Sequence, residues 1–269
     1  MNSMHSLVSR RTLLTLSVSS CLATGVACAA PVVFQDGEFN AGTWFTELYQ
    51  QESGGTSQAA RVTSGGNPGA ALQITNTVNA GGTVIGFHRY GNTTSTRYVP
   101  STQGEIATLD YNIDYRMING FGQGQSFGFA LKQGQVIYTA ADATTGISSQ
   151  WSNRPVSGLI ETDFTRVDGA LGHPNFTTSG EPIRFGIFTG NTSSGAGYSI
   201  VAQYDNFLVR INPPCPADFN RDGGVDGADV AAFFMAWEQG NSTADINNDG
   251  GIDGTDVEAF FVVWEAGAC

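Results

Sequence analysis

The chain has 269 residues, of which 13% are charged and 35 are glycine, and its formal net charge is -12. Beyond residue 30 it holds ten Arg/Lys, with Lys132 the one lysine, against 24 Asp/Glu, so phosphate backbones and anionic lipid would repel it and nucleic-acid and membrane-surface binding are excluded. Few charges, many Gly, Ser, Thr and Asn, and 41% apolar residues point to an extracellular, turn-rich β chain that can still build a core.

Residues 1–30 read as an export signal peptide. Met1 to Arg11 is basic, Thr12 to Val26 is apolar, and Ala27-Cys28-Ala29 has the small-x-small pattern of a cleavage site. Ser9-Arg10-Arg11-Thr12-Leu13-Leu14 resembles the twin-arginine export motif, although paired arginines also occur in ordinary signals, and the route stays open. No later stretch approaches the 18 or more apolar residues of a spanning helix. The product is expected to be secreted or held at the cell surface, without membrane insertion.

Residues 31–211, the body, read as strands. Leu109, Tyr111, Ile113 and Tyr115 alternate with Asp110, Asn112, Asp114 and Arg116, a period of two that sorts apolar and polar side chains onto opposite faces. Leu72 and Ile74 begin the same pattern after the turn at Gly65-Gly66-Asn67-Pro68-Gly69. Phe127, Phe129 and Leu131, then Ile183, Phe185 and Ile187, then Phe207, Val209 and Ile211 continue it. Such short strands between Gly, Asn, Ser and Thr turns imply a mainly β domain, an antiparallel β-sandwich or jelly roll.

Residues 212–214, Asn-Pro-Pro, form a semi-rigid spacer. Past it, the stretch from Asp218 to Val230 recurs 27 residues later from Asp245 to Val257. Each copy offers oxygen ligands at positions 1, 3, 5, 9 and 12 of a calcium loop: Asp218, Asn220, Asp222, Asp226 and Asp229, then Asp245, Asn247, Asp249, Asp253 and Asp256. Gly223 and Gly250 suit the sharp turn at position 6, and the carbonyls of Gly224 and Gly251 supply position 7. Two calcium ions are therefore expected in the tail. Four carboxylates per loop held within about 5 Å repel by roughly 0.8 kcal/mol per pair even in water's dielectric, so the loops should open without a cation. Val225 and Ile252, apolar at position 8, suit pairing of the two loops through a short stretch of backbone. Val230, Phe233, Phe234 and Trp237, and likewise Val257, Phe260, Phe261 and Trp264, fall at i, i+3, i+4 and i+7 of two amphipathic helices.

These paired loop-helix repeats resemble the dockerin module over residues 215–269, including the Asp that ends each loop, Asp229 and Asp256. The resemblance implies a small all-α calcium-binding domain that anchors the chain to a cohesin-like or other surface partner. Gly227-Ala228 and Gly254-Thr255 depart from the Ser-Thr of cellulosomal examples, where dockerins choose their partner. Cys215 and Cys269 bracket the segment and are expected to form a disulfide in an oxidising compartment, closing a loop of roughly 55 residues for about 4 kcal/mol.

The body's first segment, Phe34 to Trp44, and its last, Tyr204 to Ile211, resemble the outer strands of carbohydrate-binding jelly rolls. In that resemblance Asp36, Glu38 and Asp205 match acids that hold a structural calcium, a third ion for this chain. Trp44 and Trp151 are the candidate platforms for sugar stacking, although each reads more readily as core, and Asp110, Asn112 and Arg116 form a polar row that could line a concave face. Asp110 and Asp114, about 13 Å apart along a regular strand, fit neither the roughly 5 Å nor the roughly 6.5–9.5 Å of glycoside hydrolysis, so this row reads as a solvated face. His88 and His173 complete no triad or zinc signature. The expectation is a secreted, non-catalytic two-module protein whose β domain is a carbohydrate-binding or structural module, with polysaccharide as the ligand in the first case. A jelly-roll polysaccharide hydrolase or lyase carrying a dockerin is the alternative.

Overall fold

The computed structural model describes residues 30–51, 53–120, 124–146, 148, 150–222 and 224–266. Twelve strands form the body: β1 Val32–Asp36, β2 Trp44–Gln51, β3 Thr56–Gly66, β4 Gly69–Val78, β5 Thr83–Tyr90, β6 Thr108–Asn119, β7 Gln125–Gln133, β8 Val136–Thr145, β9 Ser152–Leu159, β10 Thr165–Arg166, β11 Ile183–Thr192 and β12 Tyr198–Asn212. They make two antiparallel sheets. The first runs β3-β4-β12-β6-β9 with β1 also on β12, and the second runs β10-β8-β7-β11-β5-β2. Strand β12 accommodates both β4 and β1 because β4 pairs with Tyr198–Tyr204 and β1 with Phe207–Ile211, on either side of a bulge at Asp205 and Asn206. The result is an antiparallel β-sandwich consistent with a jelly roll.

The period-two alternation sorts as expected. Tyr111 and Ile113 of β6, Phe127 and Phe129 of β7, Phe185 of β11 and Phe207 of β12 meet in one core between the sheets. Tyr111 stacks on Phe129 with centroids 4.8 Å apart, and Trp44 meets Phe207 edge-on at 5.0 Å. Each such pair adds about 0.5–1.5 kcal/mol to the area term. Both pairs cross from one sheet to the other, so they also fix how the sheets face.

One polar cluster interrupts this core. His88 is fully buried, with Nδ1 3.0 Å from Thr46 Oγ1 and Nε2 2.9 Å from Thr189 Oγ1 and 3.2 Å from Ser57 Oγ. Ser57 donates to Asn76 Oδ1 at 2.6 Å, and Asn76 Nδ2 to Asn191 Oδ1 at 3.0 Å. Burial pulls the imidazole pKa down to about 3, so it is neutral at ordinary pH.

Strand β12 runs through Asn212, whose Nδ2 donates to Thr108 Oγ1 and Asp110 Oδ2, both at 3.1 Å. The spacer therefore begins at Pro213, one residue later than the sequence suggests. In the tail, α2 (Gly227–Glu238) and α3 (Gly254–Ala266) follow the two loops where the i, i+3, i+4, i+7 spacing places them. Phe233 and Phe260 stack at 4.3 Å with planes 2° apart, and the remaining Phe and Trp side chains close around them. The repeats also exchange bonds: Trp237 Nε1 donates to Asp253 O at 2.9 Å and Trp264 Nε1 to Asp226 O at 3.1 Å. No backbone ladder joins Val225 to Ile252 among the described residues; the two indoles link the repeats instead.

Cys215 is disulfide-bonded, while its expected partner Cys269 lies outside the described residues, as do Gly223 and residues 1–29 of the signal segment. Arg221, the tail's single base, reaches Glu105 of the body at 3.3 Å. Among the described residues no helix is long and apolar enough to cross a membrane.

Candidate functional site

The core-facing residues of β5, β7 and β11 leave a second row on the outer face of that sheet. There the register sets Thr83, Ile85, Phe87 and Arg89 of β5 beside Thr192, Gly190, Phe188 and Gly186 of β11, with Ser126, Gly128 and Ala130 of β7 on the far side. Small residues alternate there with a buried cluster of Phe87, Ala130 and Ile137, against which Phe188 and Val167 pack. Glycine is required at 186, where a Cβ would stand 2.2 Å from the His88 carbonyl oxygen.

Toward the Thr192 end this face opens into a cleft of about 690 Å³ lined by Ile85, Phe188, Ser126, Thr144, Tyr198 and the loop from Ser193 to Ala196, among others. Its rim is held by its own hydrogen bonds. Tyr198 Oη donates to Thr192 O at 2.8 Å, Asn191 Nδ2 to Gly124 O at 2.9 Å, and Ser193 Oγ to Ala196 O at 2.7 Å. Among the described lining residues there is no carboxylate, imidazole or thiol. Such a lining can pack an apolar ring face against Phe188 and hydrogen-bond hydroxyl groups, and it offers no acid-base pair.

The outer face of the first sheet holds the polar row read from β6. The Arg116 guanidinium lies over the Trp151 ring, 4.5 Å from its centroid, and donates to Gln203 Oε1 and Gly65 O. Trp151 therefore has one ring face covered by an arginine. Asp114 is not solvated as expected: it is 6% exposed and accepts from Asn67, Asn153 and Asn206 side chains at 2.9, 2.6 and 2.7 Å. The turn between β3 and β4 brings Asn67 onto this face, a contact that alternation within β6 has no means of revealing.

The other tentative residues gather at the β1 end. Asp36 Oδ1 accepts from the backbone N–H of Glu38 and Phe39 at 2.9 and 2.8 Å, and Oδ2 from Thr43 Oγ1 and Trp44 Nε1 at 3.3 and 3.0 Å. Trp44 is thereby pinned as a half-buried wall of the core, between Phe39, Tyr90 and Phe207. Glu38 pairs with Arg61 at 3.5 Å. Asp205 is fully buried and accepts from the backbone N–H of Asn67 and Asn206; burial, with Asp114 and Glu38 nearby, holds its carboxyl above the ordinary range.

In the tail the two loops repeat each other atom for atom. Asp218 and Asn220 accept from Asp222 N at 3.1 and 2.9 Å, as Asp245 and Asn247 accept from Asp249 N at 3.1 and 2.9 Å. Asp222 accepts from Gly224 N and Asp249 from Gly251 N, at 2.9 and 2.8 Å. The buried Asp229 accepts from Asn220 N and Asp226 N, and Asp256 from Asn247 N and Asp253 N. These oxygens are the donors a hard cation takes. Here they are engaged by backbone N–H groups, and among the described residues no three Asp, Glu, His or Cys side chains converge as a metal centre.

Sequence reasoning missed the His88 cluster and the cleft, since their members come from strands far apart in the chain. Neither a family model nor a curated protein matches the sequence. Among solved structures, the chain overlays loosely on a family 11 carbohydrate-binding module from Clostridium thermocellum in complex with a β-1,3-1,4-mixed-linked tetrasaccharide, at 12% identity and TM-score 0.40, covering 68% of this chain and 96% of that one. It overlays similarly on the CBM22-1 xylan-binding domain of Xyn10C from Paenibacillus barcinonensis, at 9% identity and TM-score 0.35, covering 71% and 99%. The two-sheet antiparallel sandwich of this chain rests on the strand order and register given above.

Proposed function

We propose that the body binds a polysaccharide in the cleft around Phe188 and that the tail is a calcium-dependent, dockerin-like anchor on a secreted chain. The observation that carries the first half is the cleft itself: about 690 Å³, floored by glycine, with an aromatic ring among hydroxyl and amide groups and no carboxylate in its described lining. A sugar presents one apolar face and a ring of hydroxyls, and this lining complements both.

For the tail, the support is the twofold repetition of oxygen donors in loops otherwise burdened with like charge. Asp218, Asn220, Asp222, Asp226, Asp229 and the Gly224 carbonyl hold one ion, and Asp245, Asn247, Asp249, Asp253, Asp256 and the Gly251 carbonyl the other. Bound calcium supplies the positive charge that the loops lack. The side chains order the backbone of each loop, and Asp229 and Asp256 tie loop to helix. A Cys215–Cys269 bridge closes the frame, and the ordered module docks on a cohesin-like or other surface protein. Calcium is not extended to Asp36, Glu38 and Asp205, because four donors already occupy the lone pairs of Asp36.

Affinity electrophoresis of the full chain in gels of mixed-linked glucan, xylan and galactan tests the first half. Retardation by at least one polymer is expected, with Phe188→Ala weakening it roughly tenfold through loss of the stacking face. Absence of retardation by all three, or retardation indifferent to Phe188, overturns the cleft. Release of reducing ends would replace the binding module with the hydrolase or lyase.

A further inference from the structure

At the opposite end of the same outer face lies a second cavity, of about 390 Å³, and its chemistry is unlike the first. Arg89, Arg97, Lys132 and Arg184 line it together with Glu47 and Glu181. The body holds only nine Arg/Lys in residues 31–214, and four of them meet here. They come from β5, the loop before α1 (Pro100–Gln103), β7 and β11, so the convergence is made by the fold and not by a basic run in the sequence.

Their charges are unevenly matched. Glu47 accepts from Arg89 Nε at 2.6 Å and from Lys132 Nζ at 2.5 Å, which neutralises one of that pair. The Arg89 guanidinium also lies 4.7 Å from the Phe45 centroid and donates to Gly91 O, so it is fixed in place. Arg97 and Arg184 are in no ion pair among the described residues. Among the described residues Arg184 donates to the Thr93 carbonyl, at 3.3 Å. Arg97 Nε is buried with no hydrogen-bond partner, a state that costs free energy unless something else satisfies it. Burial and the neighbouring Arg89 and Arg97 pull the Arg184 pKa downward, the expected response of a cation crowded by its own kind.

We propose that this cavity recognises an oxyanion carried by the polysaccharide, a uronate carboxylate or a sulfate ester, so that the ligand of the body is an acidic glycan. The proposal rests on the reading of the body as a carbohydrate-binding module. Planar guanidinium forks match a carboxylate or sulfate edge with paired N–H donors, and Arg97 Nε supplies one that is otherwise unused. From Arg184 to Gly190, six residues of β11 carry the face from this cavity to the cleft, about 20 Å along the strand. Between them Phe87, Ala130 and Ile137 form a buried cluster with Phe188 and Val167 packed against it, and a single extended chain passing over this patch would reach both.

The test is isothermal titration of the full chain with matched pairs: oligogalacturonate against its methyl-esterified form, and a sulfated galactan oligomer against its desulfated form. The expected result is that one charged member binds roughly ten- to a hundredfold tighter than its neutral partner, the range of a charge-assisted contact. The pair that shows the preference distinguishes carboxylate from sulfate. Arg97→Gln and Arg184→Gln should each shrink the ratio of charged to neutral affinity, and 0.5 M salt should do the same in the unaltered protein, independently of folding in the variants. Equal binding within both pairs, or a preference that survives both substitutions, overturns the proposal. Neutral binding without charge preference would defeat only the acidic-glycan inference, whereas no binding by any oligomer defeats it together with the carbohydrate reading.

Discussion

In the body, two buried polar side chains are met by neutral partners: His88 by Thr46, Ser57 and Thr189, and Asp114 by three asparagine amides. In the tail, eleven acidic residues face one arginine, and the loop carboxylates lean on backbone N–H groups of their own repeat. The body's two sheets are joined by a wide aromatic core, while the tail's helices share a core centred on Phe233, Ala244 and Phe260. The difference teaches that the body is built on apolar burial and hydrogen bonding, whereas the tail gathers like charge that the proposed calcium ions would offset from outside the chain.

The largest effect should come from removing those ions. In chelator, far-UV circular dichroism should lose the signal of α2 and α3 while the body's thermal transition stays in place; helicity unchanged by chelation would erase the contrast. Next, Phe260→Ala should cost about 3–5 kcal/mol, the usual range for a buried aromatic, and Phe207→Ala a similar amount in the body. In a tail of roughly 55 residues that loss is expected to exceed the whole stability, so the tail unfolds even in calcium while the body only melts earlier. Calorimetry with two resolved transitions would show this.

The pH response sharpens the comparison from the other side. The His88 pKa falls from 6.5 to about 3 on folding, so the unfolded chain binds a proton that the folded body refuses. The body's stability should therefore be complete above pH 6.5 and fall as pH drops toward 3, by about 1.4 kcal/mol per unit and near 2 kcal/mol by pH 5. In His88→Gln this part of the slope should vanish. The smallest effect is expected at the one ion pair between the regions: Arg221→Ala should shift either transition by less than about 0.5 kcal/mol, because the pair is largely exposed. A larger coupling would mean that body and tail fold as one unit.

Local period carried a large share of this structure into the sequence. Alternation in residues 109–115 marks the core face of β6, and the spacing of Phe233, Phe234, Phe260 and Phe261 marks both helices. The candidate site was far less legible. Trp44 reads more readily as wall than as platform, and only the bond from its indole N–H to Asp36 decides between them, while Trp151 acquires its covered face only when β6 and β9 lie side by side.

The sequence by itself determined the strand and helix faces, the repeat, its oxygen donors and the charge imbalance, because each depends on spacing within a few residues of the chain. The pairing of strands decided the rest. His88 became a buried neutral base, Asp114 a covered carboxylate, and Arg89, Arg97, Lys132 and Arg184 one cavity, because these groups are brought together from positions tens of residues apart by backbone register between strands, which no local period encodes.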